Sequence, residues 1–61
     1  MKKYEVTLSS PHGAIAYMVE ASSVERAFVR ARKMLAKDVG DHNARKYRHS
    51  IAEEMRKDEN G

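Results

Sequence analysis

Residues 3–8, KYEVTL, alternate without exception, with Tyr4, Val6 and Leu8 on one side and Lys3, Glu5 and Thr7 on the other. That period of two belongs to a half-buried strand. The next five residues, SSPHG, gather Ser, Pro and Gly and predict a turn, since proline fixes one backbone angle and glycine frees another. A second alternating run, AIAYMVEA, places Ile15, Tyr17 and Val19 on one face. Together the two runs predict a β-hairpin. Ala14, Ala16 and Met18 make the second strand apolar on its other face too, which predicts cover on both sides or pairing in a dimer.

The pattern then changes period. In SSVE, Ser22 with Glu25 has the form of a capping box, each side chain satisfying a backbone N–H left free at a helix start. Val24, Ala27, Phe28, Ala31, Met34 and Leu35 recur at the spacing of one helical face, and Gly40 is placed to end the helix in a left-handed turn. A helix over about 23–38 would be about 24 Å long, enough to lie across a hairpin and supply most of a core.

After the turn DVGDHN, the stretch ARKYRHSIAEEMRK fits two patterns. As a helix it puts Ala44, Tyr47, Ile51 and Met55 on one face. As a strand it turns Tyr47, His49 and Ile51 inward, with Arg48 and Ser50 outward. A two-stranded hairpin is poorly stable alone, so a third strand over about 46–52 is the preferred reading, against the helix propensity of AEEMRK. The expected fold is therefore α+β in the order ββαβ, one hairpin and a third strand under one helix; the alternative is ββαα with residues 44–57 helical. Residues 1–57 are read as a single small domain and residues 58–61 as a frayed polar tail.

Composition narrows the picture further. A domain of 61 residues buries only a modest fraction of its unfolded surface, and without cysteine it has no disulfide or thiolate zinc site to reinforce it. That leaves tight packing, a partner or self-association, of which self-association is favoured. The longest apolar run, Ala14 to Val19, is too short to cross a bilayer, so no membrane partner is expected. The opening MKKYEV passes straight into alternation and lacks the long apolar stretch of a secretion signal, so a cytoplasmic protein is expected.

Charge is unevenly placed. The net +3 conceals a middle section, residues 26–48, with eight Lys or Arg against two acids, flanked by segments that are each net acidic. Arg26, Arg30, Lys33 and Lys37 step by four, three and four, so they share one helix face with Arg32 beside them; Arg45, Lys46 and Arg48 extend the patch if the third element lies alongside. A row of cations on a rigid element is what phosphate contacts need. The plainer reading is a solvated helix face, because Lys and Arg are good helix formers that keep small domains soluble. No aromatic is interleaved for base stacking, which weakens a single-strand-binding reading.

Other chemistry has little support. His12, His42 and His49 are scattered with no metal-ligand spacing, so no metal and no cofactor are expected. Ser9, Ser10 and His12 lie close in sequence, but nucleophilic catalysis also needs an orienting group and a walled cleft; Glu53 and Glu54 are adjacent and would diverge. The three glycines form no phosphate loop. An enzyme is not expected. Apolar residues beyond the needs of one core, among them Ala14, Ala16, Met18, Val29 and Ala36, suggest a contact surface, with Ala16, Tyr17 and Met18 as a candidate apolar interface; ordinary surface scatter is the rival explanation.

The order of strand, Pro/Gly turn and strand ending in Val19, Glu20, Ala21 and Ser22, then Ser23, Ala27, Ala31 and Leu35 at helical spacing, resembles a group of very small, often phage-encoded proteins. In these a hairpin and one helix form a sheet-on-helix domain. Phage inhibitors of host RNA polymerase and some anti-CRISPR proteins are similar in layout. The match spans about residues 3–36 and rests on generic positions. It implies a binder and not an enzyme, but several of those inhibitors are acidic whereas this chain is basic, which leaves the target open.

The expected function is accordingly a small intracellular binding or regulatory protein, phage- or mobile-element-encoded on that resemblance, that docks on a host protein or protein complex. A nucleic-acid-binding protein using the basic helix face is the first alternative. A structural homodimer module is the second.

Overall fold

The computed structural model describes residues 1–55. The elements are β1 (Lys2–Ser10), β2 (Gly13–Ala21), α1 (Val24–Val39), a single turn α2 (Asp41–Ala44) and β3 (His49–Glu54). The three strands form one antiparallel sheet in the order β2-β1-β3, with α1 against one face, so the fold is α+β as the hydrophobic pattern predicts. Residues 56–57 of the expected domain and the expected frayed tail at 58–61 lie outside the described residues.

The hairpin is tight. Ser10 pairs with Gly13, leaving only Pro11 and His12 in the loop, and the ladder runs on to Lys2 opposite Ala21. Ser10 Oγ donates to the Gly13 carbonyl at 3.3 Å and accepts from the His12 N–H at 3.1 Å, so the turn is held by its own side chain. The alternation of β1 then sends Tyr4, Val6 and Leu8 into the core, each buried.

Ser23 caps α1. Its Oγ accepts from the Arg26 N–H at 3.3 Å, and its backbone is extended. The expected capping box on Ser22 is thus one residue out of register. Ala21 is buried, and the strand runs to that point, so Ser22 is spent on leaving the sheet and the cap falls to the next hydroxyl. Glu25 still sits in the first turn, where its charge favours the helix N-terminus.

Ala27, Ala31 and Leu35 form the buried line of α1 and pack with Tyr4, Val6, Leu8, Val19 and Ala21. Two alanines at the contact let the helix lie close to the sheet, chiefly over β2. Phe28 and Val39 close the rim, half-buried. Gly40 ends the helix with its N–H donating to the Ala36 carbonyl at 2.8 Å. Its φ of 88° requires glycine, as expected, but its ψ of 154° is extended and not the left-handed helical value. The chain is flung outward for one residue and α2 begins at once.

β3 exists and overlaps the expected span, but it starts later and in the opposite phase. It spans His49–Glu54, with Ala52 beside Val6 and Ser50 beside Leu8. Those two residues therefore share the helix side of the sheet, while His49 and Ile51 lie on the open face; Ile51 is 69% exposed. The expectation of an inward Tyr47, His49 and Ile51 fails for a local reason. Residues 45–48 form turns, with Lys46 N–H donating to the Asn43 carbonyl, Tyr47 to Ala44 and Arg48 to Lys46. Tyr47 does pack on the core, half-buried, but from a turn; the alternation is broken before the strand begins.

Candidate binding surfaces

The outer face of α1 carries Arg26, Arg30, Lys33 and Lys37, all exposed, on the side away from Ala27, Ala31 and Leu35. Steps of three and four residues fix that row once one face is buried. Val29, 55% exposed, sits among them, and with Glu25, Arg26, Arg30 and Lys33 it borders a shallow depression. Arg32 does not belong to the row. It comes two residues after Arg30, about 200° round the helix, and is half-buried.

Arg45, Lys46 and Arg48 do not widen this row either. They join Pro11, His12 and His42 around a separate open basin. The topology explains the meeting: α1 doubles back over β2, as the bond from Tyr17 to Asp38 records, so whatever follows α1 arrives beside the hairpin turn. Ala44 and Tyr47 are drawn toward the core, which leaves Arg45, Lys46 and Arg48 to point away from it. The scatter of histidines in the sequence is therefore only partly kept, since two converge at one end and His49 lies on the open sheet face. A signal for this was present: the hairpin turn and the segment after the helix must share an end in a ββα path.

The apolar triplet Ala16, Tyr17 and Met18 is divided by the pleat. Ala16 and Met18 are exposed on the open face of the sheet, Ala16 in line with Ile51 of β3 across Thr7 and Met18 in line with Glu53 across Glu5. Tyr17 lies on the helix side, half-buried, and its hydroxyl donates to Asp38 Oδ2 at 2.6 Å. That bond holds the phenolic proton, and with partial desolvation and the Asp38 charge it pushes the Tyr17 pKa up to about 12. Tyr17 thus ties β2 to α1. Also on the open face, Glu5 faces Glu53 directly across β1 and β3.

Among the described residues no group of three or more His, Cys, Asp or Glu is placed to hold a metal ion, and no helix is long and apolar enough to cross a membrane. Comparison with protein-family models, with curated proteins and with solved structures found no match.

Proposed function

We propose that this chain is a small binding protein that docks the outer face of α1 on an acidic surface of a protein partner. The observation that carries the reading is the exposed Val29 set among Arg26, Arg30 and Lys33. An apolar centre ringed by charged residues, two of them Arg, has the make-up of a protein interface, where desolvated contacts supply affinity and charges supply orientation and rate. A phosphate backbone would use the cations and have no need of the valine. The resemblance of the hairpin-and-helix order to small phage-encoded inhibitors would accord with a docking role, and the excess of base on residues 26–48 would steer the protein toward negative charge.

Two variants separate this reading from direct nucleic-acid binding. One replaces Arg26, Arg30 and Lys33 with Gln; the other is Val29→Ser. Nuclease-treated cell extract is passed over each immobilised protein, and anisotropy titrations against a DNA duplex and an RNA hairpin run in parallel at two salt concentrations. Protein docking predicts a retained acidic partner that both variants lose. Steeply salt-dependent nucleic-acid binding, lost with the charges but indifferent to Val29→Ser, would replace the protein partner with a nucleic acid. Retention of a partner by both variants would remove α1 from the interface.

A further inference from the structure

We propose that the basin at the hairpin-turn end is a phosphate-binding site, distinct from the outer face of α1. It is lined by Pro11 and His12 from the turn, His42 from α2, and Arg45, Lys46 and Arg48 from the segment that leads to β3. It is an open basin of about 440 Å³.

The charge on its walls is one-sided. Three of the six lining residues are permanently cationic at neutral pH, two more are imidazoles that can donate hydrogen bonds, and none is acidic. The nearest acids in sequence, Asp38 and Asp41, are not among the lining residues. Gathering like charges in one concavity costs free energy, which a multiply charged anion offsets. Proline is the one apolar residue of the lining, and the Arg and Lys stems add apolar surface beneath their charged ends. Arginine adds planar, forked donors matched to phosphate oxygens.

The six lining residues are exposed, but the backbone that carries them is held on both walls. The turn wall is held by the Ser10 hydroxyl through the His12 N–H and the Gly13 carbonyl. On the opposite wall, Asn43 Nδ2 donates to the Val39 carbonyl at 3.0 Å, and Lys46, Tyr47 and Arg48 are each held by a backbone turn bond. Tyr47 and Ala44, seated against the core, fix the direction in which the intervening Arg45 and Lys46 emerge. The depression on the outer face of α1, by contrast, is lined by one element alone and includes the acidic Glu25 and the apolar Val29.

The test is an amide NMR titration of the full chain with pyrophosphate, against sodium chloride at matched ionic strength. Saturable shifts confined to the amides of residues 12–13 and 42–48 are expected. Replacing Arg45 and Arg48 with Gln should weaken the affinity by about tenfold or more, given the strength of hydrogen bonds to charged groups. The Arg26, Arg30 and Lys33 to Gln variant should leave it unchanged, so the two surfaces are judged separately. Unaltered amide positions elsewhere establish that each variant is folded. A second arm adds a mixed-sequence DNA duplex to the pyrophosphate complex: displacement assigns the phosphate to a nucleic-acid backbone, and failure to displace assigns it to a free phosphate compound. Shifts that do not saturate, that chloride reproduces, or that the α1 variant reduces as much as the Arg45 and Arg48 variant would overturn the site.

Discussion

The Tyr17 hydroxyl donates a 2.6 Å hydrogen bond to Oδ2 of Asp38, joining the middle of β2 to the last turn of α1. The contact fixes how far the helix returns along the strand. It thereby sets the position of α2 and of the basin beyond it.

Because the bond stabilises the protonated phenol, the Tyr17 pKa rises from 10.0 to about 12. A group whose folded pKa lies above its unfolded value contributes stability that is fully present below the unfolded pKa and is lost as pH rises through the folded one. Tyr17→Phe should cost about 0.5–1 kcal/mol, the range of a modest, solvent-accessible hydrogen bond. Urea denaturation of the two proteins should show a constant difference up to about pH 10 that shrinks toward pH 12. A difference that grows across that window would contradict the bond.

Gly40 combines a φ of 88° with a ψ of 154°, a region essentially confined to glycine. A Cβ there would meet nothing within 4 Å, so the penalty of substitution is purely conformational. Gly40→Ala should destabilise the fold by about 1–3 kcal/mol. Gly40→Asn should be no better, although asparagine often replaces glycine in an ordinary left-handed cap; thermal melts of both variants check this.

The helix cap can be tested by comparing neighbours. Ser23→Ala should cost about 1 kcal/mol by removing the acceptor of the Arg26 N–H. Ser22→Ala, at an exposed residue outside the helix, should stay within about 0.5 kcal/mol.

For β3 the decisive pair is Ile51 and Ala52. Ile51→Thr, on the open face, should shift stability by less than about 0.5 kcal/mol. Ala52→Leu forces bulk beneath α1 beside Val6 and should cost about 1–3 kcal/mol. The reverse ranking would restore the alternation read from the sequence.

On the open face, Glu5 and Glu53 confront each other across β1 and β3. Like charges directly opposite in a sheet are unfavourable, so Glu53→Lys should raise stability by about 0.2–1 kcal/mol at low salt, with the gain fading as salt is added.

Periodicity made the hairpin and α1 legible, since burying Ala27, Ala31 and Leu35 beneath Tyr4, Val6 and Leu8 leaves those segments one orientation each. The existence of a third strand followed from the instability of a lone hairpin. Its phase did not, because Tyr47 reaches the core from a turn and carries no information about the pleat that follows. The same limit hid the basin. Arg45, Lys46 and Arg48 were recognisable as cations, but their neighbours are set by the return of α1 toward Pro11 and His12, a long-range fact that local spacing does not encode. The cap on Ser23 lay within the error of a single residue, where two adjacent serines compete and the end of β2 decides between them.

The sheet order β2-β1-β3 places the first strand at its centre, hydrogen-bonded on one side to its neighbour in sequence and on the other to the last strand described. The β1 backbone is therefore complete only when residues 49–54 return to it, with Val6 beside Ala52 across most of the chain. Closing so long a loop is an entropic cost that must be met before the contact repays it, and such topologies fold late and cooperatively. The amides of β1 that face β3 would therefore gain protection from exchange only once residues 49–54 have paired.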